Sequence, residues 1–171
     1  MQLSKSRLVA HRQCRKRLWL QIFRREVGQP GEAAENRMAQ GRMVGIAAQH
    51  SFPEGRLIGH VHDLSAALAE TRAALTEPGD VTLFEAALRH AGILIRADVL
   101  QRRGDHWRLI EVKSSTRVRD HQVTDAGIQN WVACGAGLHV ERTELAYINN
   151  RFVYGQHYHY RPRWPRTEIR Y

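Results

Sequence analysis

The sequence predicts a mixed α/β domain with one central β-sheet flanked by helices. Helical periodicity dominates residues 1–77, and three consecutive apolar strand segments with very short connections then occupy residues 81–116. A further helical segment, 119–137, and a strand-like segment, 138–154, complete the pattern. Helices followed by a β-meander, a helix and a strand favour a sheet covered by helices over an all-β or all-α fold.

Three helices are predicted before the strands, at residues 4–23, 32–52 and 63–77. The first opens at Ser4 and has a basic face. The second carries Gly41 and Gly45 one turn apart, which would allow close packing of a neighbour on that face. The third has Asp63 as its predicted N-cap and Pro78-Gly79 as its stop signal.

The strand segments are residues 81–90, 93–102 and 107–116. Gly104-Asp105 suits a two-residue type II′ hairpin turn, which needs glycine at its first central position, and Ala91-Gly92 is a candidate for the preceding turn. A last turn is expected at Asn149-Asn150, so that 138–154 forms one or two strands.

Charge and composition limit the class of protein. The 171 residues are 43% hydrophobic without an apolar run of 18, which excludes a membrane span, and a cytoplasmic location without a signal peptide is the simplest expectation. Lysine and arginine outnumber the acids by 26 to 17, and a net charge of +9 made mostly of arginine favours a nucleic-acid partner. A compositional bias towards arginine is the alternative. Two cysteines are too few for a disulfide framework or a metal site of their own.

The register of the central hairpin brings two acids together. With the turn at residues 104–105, Asp98 falls directly opposite Glu111, and opposed residues have β-carbons roughly 4.5–5.5 Å apart. Two carboxylates at that separation repel, and a divalent cation with oxygen ligands neutralises them.

Other charged residues are expected beside this pair. Lys113 shares a face with Glu111, Arg96 is expected opposite Lys113, and Glu85 would face Asp98 if 91–92 forms the turn. Two acids with a lysine suit phosphodiester hydrolysis assisted by Mg²⁺ or Mn²⁺: the metal activates a water, and the lysine stabilises the developing charge. The alternative is a solvated, inert cluster, which the apolar residues around the acids argue against.

These residues resemble the PD-(D/E)XK nuclease superfamily, and most closely its RecB-like branch, which includes the CRISPR-associated exonucleases. The likeness rests on Asp98, on Glu111-Val112-Lys113 and on a following helix with Gln129. The opening LSKSRLVAHRQCRKRLWL and the stretch IEVKSSTRVRDHQVTDAGIQNWV extend it over most of residues 1–154. The resemblance implies a restriction-endonuclease-like core.

The resemblance also implies roles for individual residues. Asp98 and Glu111 become ligands of Mg²⁺ or Mn²⁺, with the backbone carbonyl of Val112 as a further ligand and Glu85 as an additional candidate. Lys113 becomes the catalytic lysine. Gln129 is expected near the active site and the DNA.

The sequence departs from the family pattern at several positions. The motif proline is Ala97, and the tyrosine expected four residues after Gln129 is Ala133. The metal-binding histidine that many relatives carry on the second helix is missing, since His50 is out of step; Glu35 is a substitute candidate.

The cysteines also depart from the iron–sulfur members of this branch, which place three cysteines after the nuclease core. Cys134 lies within the helix of Gln129, so Cys14 is expected to be a small buried residue unless a longer protein supplies further cysteines.

Further candidates lie around the core. Substrate contacts are expected from two serines after the lysine and from cations of the first helix: Ser114, Ser115, Arg12, Arg15 and Lys16. A solvated helix face is the alternative for these cations. His157 and His159 could form a metal-binding pair by their chemistry, but in a basic aromatic tail they are expected to be surface groups. Trp107 is expected to pack in the core or at the sheet edge rather than to stack on a base. Asp125 and Gln129 are expected to hydrogen-bond each other, unless the family role of Gln129 prevails.

The sequence therefore predicts a Mg²⁺- or Mn²⁺-dependent deoxyribonuclease domain at residues 1–154, followed by a basic aromatic tail at 155–171 that could begin a missing C-terminal region. An exonuclease acting on DNA ends or single strands, in repair, recombination or defence, is expected by analogy. The rivals are a non-catalytic nucleic-acid-binding module and an interaction domain that depends on other domains or repair or defence proteins.

Overall fold

The structure, a computed structural model, describes residues 3–28, 31–151 and 166–169. The helices are α1 Lys5–Gln13, α2 Arg15–Phe23, α3 Glu32–Gln49, α4 Leu64–Thr76 and α5 Asp120–Gly135, with a short 3₁₀ turn at Arg25–Gly28. The strands are β1 Leu3–Ser4, β2 Arg56–Leu57, β3 Val81–His90, β4 Ile93–Arg103, β5 His106–Lys113, β6 Val140–Tyr147 and β7 Arg166–Ile169.

The strands form one mixed sheet in the order β2-β3-β4-β5-β6-β7, with β1 added beside β4. The central β3-β4-β5 meander is antiparallel, whereas β5 and β6 run parallel and are connected through α5. A parallel pair needs such a crossover, and a helix commonly supplies it. The predicted α/β fold with a mixed central sheet flanked by helices is confirmed. The strand β7, within the predicted tail, joins this sheet by pairing with β6.

The hairpin turns fix the register as predicted. Gly104 has φ 57°, and β4 pairs with β5 from Arg103–His106 to Val99–Ile110. Ala91 and Gly92 have φ values of 47° and 77°, as a two-residue type I′ turn requires, and they set the pairing of β3 with β4.

The ladder between β4 and β5 ends at Val99–Ile110, so the strands separate one residue before Asp98 and Glu111 would pair. Beyond this point β1 lies against β4 at residues 93–94, while β5 continues beside β6. The predicted direct pairing of Asp98 with Glu111 is therefore wrong, although the register leading to it is right. We call this opening between β4 and β5 the fork.

The predicted pairing of Arg96 with Lys113 is wrong for the same reason, since β4 and β5 have separated before they reach these residues. Arg96 instead donates to the backbone carbonyls of Ile58 and His60 at 2.7 and 2.9 Å and pairs with Glu85 at 3.3 Å. Its guanidinium therefore anchors the segment after β2.

The core consists of two apolar clusters. The larger includes residues of α4, α5 and the central strands, among them Ala67, Leu83, Leu109 and Val132. The smaller includes Phe84, Val99, Ile110 and Ala146, with Phe52 packed against it. Trp107 is buried as predicted, and the Arg102 guanidinium lies 5.3 Å from its ring centroid.

The helices differ from the predictions mainly at the N-terminus. The predicted helix 4–23 is two helices, because Cys14 adopts an extended backbone with φ −166° and ψ 121°. Cys14 is exposed, so the expectation that it would be buried is wrong. Side chains at Gly41 or Gly45 would meet no atom within 4 Å, so neither glycine serves close packing. Asp63 caps α4 as predicted, accepting from the Ala66 N–H at 2.9 Å.

Within the described parts of the chain, no helix has both the length and the apolar character needed to cross a bilayer.

Helix α4 is tied to the sheet by a buried hydrogen bond that gives a test of the fold. The Thr71 hydroxyl accepts from the Ala87 N–H at 3.0 Å. Thr71→Val keeps the shape but leaves this N–H without its acceptor, so we expect a loss of about 1–3 kcal/mol in unfolding free energy. Urea denaturation measures it. Thr76→Val, exposed at the end of the same helix, is the matched control; equal losses for both variants would contradict the assigned bond.

Candidate functional site

The fork places a carboxylate from each separated strand in one region. The Val112 N–H, which the ladder no longer pairs with β4, donates to Asp98 Oδ2 at 2.7 Å. Glu111 is only 2% exposed, and it lies close enough for its charge to raise the pKa of Asp98. The local geometry therefore keeps the two acids close together without a direct strand pair.

Lys113 contacts this region from the same strand, as the two-residue alternation predicts. Its ammonium lies 2.5 Å from Glu111 Oε1 and 2.6 Å from Asp125 Oδ2. Asp125 comes from the second turn of α5, so the lysine bridges strand and helix. From the sequence, Asp125 was expected only as a hydrogen-bond partner of Gln129.

Lys5, the first residue of α1, was missed by the sequence argument altogether. Its ammonium lies 3.1 Å from Glu111 Oε1 and 3.4 Å from Asp125 Oδ1. Ion pairs thus join two acids and two lysines, Glu111, Asp125, Lys5 and Lys113. Asp98 completes a set of five residues through the effect of the Glu111 charge on it. We call this set the acid–lysine cluster. No local sequence pattern marks Lys5, since its partners lie more than 100 residues away.

Gln129 is fully buried and donates through Nε2 to Glu111 Oε2. The predicted hydrogen bond between Asp125 and Gln129 is replaced by separate contacts, because Asp125 pairs with the lysines. Gln129 Oε1 is a buried acceptor for which the described part of the chain supplies no donor. Such an atom is costly unless a further donor satisfies it, and it lies on the amide that touches Glu111.

Burial and the neighbouring charges shift the pKa values of the acids in opposite directions. Burial, with the charge of Glu111 added, raises the pKa of Asp98 well above its usual 3.8. Burial acts in the same direction on Glu111, but Lys5 and Lys113 outweigh it and lower the Glu111 pKa to about 2. The pKa of Asp125 is raised by burial and by Glu111. Glu111 is therefore the fixed negative charge of the cluster.

The lysines are correspondingly locked in their charged forms. Burial works against the ammonium groups of Lys5 and Lys113, yet the charges of Glu111 and Asp125 overcome it and raise both pKa values. Ionised Glu111 and Asp125 balance the two ammonium groups that pair with them. Burial favours the neutral form of Asp98, so the charges of the cluster are close to balanced.

The chemistry of the carboxylates fits the Mg²⁺ or Mn²⁺ that the sequence predicts. Carboxylates are the hard oxygen ligands that Mg²⁺ and Mn²⁺ prefer. The lysines occupy the same carboxylate oxygens, however. Over residues 3–28, 31–151 and 166–169, no group of three or more His, Cys, Asp or Glu side chains is arranged to hold a metal.

Glu85 lies opposite Asp98 in the register, between Phe84–Val99 and Ala86–Ala97, but its carboxylate pairs with Arg96 at 3.3 Å. Its backbone has φ 56°. Its proposed role as a metal ligand stays a prediction. Glu35 lies exposed in the first turn of α3, and His50 is exposed at the end of that helix.

The remaining candidates lie around the cluster or beyond it. Ser115 accepts from Gln122 Nε2 at 3.0 Å and donates to the Arg117 carbonyl, which fits a strand-end structural role. Ser114 is half-buried beside it. The predicted cations Arg12, Arg15 and Lys16 are exposed on α1 and α2. His157 and His159 lie outside the described residues.

Comparisons with known proteins leave the family assignment open. No protein-family model matches the chain, and no curated protein matches it. Among solved structures, one described as "Crystal structure of SSO0001" is similar at 15% identity with a TM-score of 0.41, covering 98% of this chain and 66% of that one. The chain thus spans just under two thirds of that protein's length. Membership of the PD-(D/E)XK superfamily stays a prediction.

The opposite pKa shifts predict opposite stability effects for two isosteric variants. Ionised Asp98 costs the folded state free energy, and this cost grows as pH rises above 3.8, so Asp98→Asn should be at least as stable as the parent at pH 7.5. Ionised Glu111 stabilises the fold above pH 4.5, and this contribution is lost as pH falls towards 2. Glu111→Gln should therefore lose roughly 3–5 kcal/mol, the usual cost of removing one partner of a buried ion pair.

Urea unfolding in EDTA at pH 7.5 measures both variants. Equal destabilisation by the two substitutions would show that the acids do not differ in their coupling to the lysines.

Proposed function

We propose that this protein is a metal-dependent nuclease that hydrolyses phosphodiester bonds of DNA, with the acid–lysine cluster as its active site. The observation that carries the proposal is the fork: two strands of a central sheet separate where one supplies the half-buried Asp98 and the other the buried Glu111, with a lysine two residues further on. Bringing this many ionisable groups together in a partly buried site costs a fold desolvation free energy. Strongly shifted pKa values of this kind concentrate at functional sites.

The residues divide into separate roles under this proposal. Asp98 and Glu111 hold Mg²⁺ or Mn²⁺, with the Val112 carbonyl as a further ligand and Asp125 as an additional acid beside Glu111. When bound, the metal supplies Lewis-acid polarisation of the phosphoryl group and a more acidic water. Lys113 stays protonated and offsets negative charge that develops on the phosphate. Gln129 orients Glu111 through its Nε2 hydrogen bond.

Nucleic acid is the substrate class that the charge distribution supports. The chain carries a net charge of +9, and α1, α2 and the following 3₁₀ turn are rich in arginine. Arginine matches phosphate oxygens through its planar fork of donors. DNA, with ends or single strands as the favoured form, follows from the family resemblance, and action within a larger repair or defence assembly is part of the same proposal.

A non-catalytic nucleic-acid-binding module is the second candidate, because one observation favours it. Lys5 and Lys113 already neutralise most of the carboxylate charge without a metal. If no metal replaces these lysine pairs, the cluster stabilises the fold and the basic helices bind nucleic acid without cleaving it. Metal affinity separates the two candidates.

The direct test is cleavage of end-labelled single- and double-stranded DNA by the purified protein with Mg²⁺ or Mn²⁺. We expect cleavage that EDTA abolishes and that Asp98→Asn and Glu111→Gln lower by roughly 100-fold or more, since metal-assisted charge stabilisation is worth on the order of several kcal/mol. RNA of the same sequence tests substrate preference.

Glu144→Gln is the matched control for this assay. Glu144 is a buried acid of the neighbouring strand, and its partner Arg108 lies 2.7 Å away outside the cluster. Its variant should keep the metal dependence and most of the activity of the parent. Absence of cleavage together with absence of Mn²⁺ binding by calorimetry would favour the non-catalytic candidate.

Competition between Lys5 and the metal gives an independent prediction. Lys5 pairs with two carboxylates that the cation would bind, so Lys5→Met should tighten Mn²⁺ binding by about tenfold. This is a part of the interaction energy of roughly 4 kcal/mol between two unit charges 4 Å apart near a protein surface. Calorimetric titration measures it. Lys16→Met, which removes an exposed lysine of α2, should leave the affinity unchanged; equal affinities in Lys5→Met and parent would contradict competition.

A further inference from the structure

A cavity of about 250 Å³ opens beside the acid–lysine cluster. Helices α1, α2 and α5 form its walls, with nine lining residues: Lys5, Ser6, Val9, Ala10, Gln13, Arg17, Gln21, His121 and Asp125. Two of these, Lys5 and Asp125, also belong to the cluster. The cavity and the carboxylates are therefore neighbours that share a wall.

The walls combine basic groups with an apolar surface. Arg17 and His121 approach from α2 and from the first turn of α5, while Val9 and Ala10 provide the apolar side. Arg17 donates to Gln13 and, among the residues that the structure describes, has no carboxylate partner. Its guanidinium thus keeps donors for an anionic ligand.

The size of the cavity limits the ligand. Pockets for drug-sized molecules occupy roughly 300–1,000 Å³, so this cavity suits a single nucleotide unit better than a longer segment. The amides of Gln13 and Gln21 and the Ser6 hydroxyl offer neutral donors and acceptors around it. Arginine and histidine suit a phosphate, and the apolar side suits a sugar or the face of a base.

We propose that this cavity binds the phosphate-bearing terminal nucleotide of a nucleic-acid strand, with Arg17 and His121 as its phosphate contacts. The inference rests on the proposed nuclease function for the identity of the strand, and it adds the subsite that would hold the strand end. A pocket of this size that adjoins the carboxylates favours cleavage close to a strand end over cleavage within a long duplex.

The test is calorimetric binding of three probes to the whole protein in EDTA: deoxyadenosine 5′-monophosphate, inorganic phosphate and deoxyadenosine. We expect the nucleotide to bind most tightly, and Arg17→Ala and His121→Ala each to weaken it by about tenfold, as loss of a charge-assisted hydrogen bond does. Arg72→Ala, which removes an exposed arginine of α4 away from the cavity, should bind like the parent. Thermal melts confirm that the variants are folded.

Four results would overturn the inference. The first two are no binding of the nucleotide, and equal binding by Arg17→Ala, His121→Ala and parent. The other two are deoxyadenosine or inorganic phosphate binding as tightly as the nucleotide. Because EDTA removes any divalent metal, this binding is independent of catalysis. Retained nucleotide binding without metal-dependent cleavage would therefore reject the nuclease and keep the pocket.

Discussion

The buried carboxylate of Glu111 is the constraint around which the other elements are arranged. An ionised acid at 2% exposure is tolerated only if charges and hydrogen bonds surround it. Lys5 from α1, Lys113 from β5 and Gln129 from α5 supply them. The first helix, the end of the central hairpin and the crossover helix are thus tied to one side chain. If any of these three elements were displaced, the Glu111 carboxylate would lose one of the ion pairs or hydrogen bonds that stabilise its charge.

The fork between β4 and β5 makes this arrangement possible. If the ladder had continued, the Val112 N–H would have paired with the β4 backbone and the two acids would have stood directly opposed. Separation after Val99–Ile110 frees that N–H for the Asp98 carboxylate instead. On the side of β4 from which β5 has separated, β1 pairs with the first residues of β4. A small change in strand pairing therefore creates both the space and the hydrogen-bond donor of the site.

The sequence predicted what depends on local chemistry and short-range register. The turn at Gly104 fixes the hairpin, the two-residue alternation fixes Lys113 beside Glu111, and Asp63 caps α4 as its side chain allows. Contacts across long sequence separations escaped it, as the role of Lys5 demonstrates. The break at Cys14 also escaped it, because neither glycine nor proline marks the position. Ladder register alone did not reveal where the strands would separate.

The shared wall of cluster and cavity has a thermodynamic consequence. Lys5 and Asp125 contact each other at 3.4 Å and belong to both sites, so a ligand that draws either charge towards itself changes the compensation of Glu111. A cation at the carboxylates would release the Lys5 ammonium, and an anion in the cavity would attract it. Because binding linkage is reciprocal, each ligand would then strengthen the other by the same factor. Lys5 would thus be the residue that couples binding of the metal to binding of the strand end.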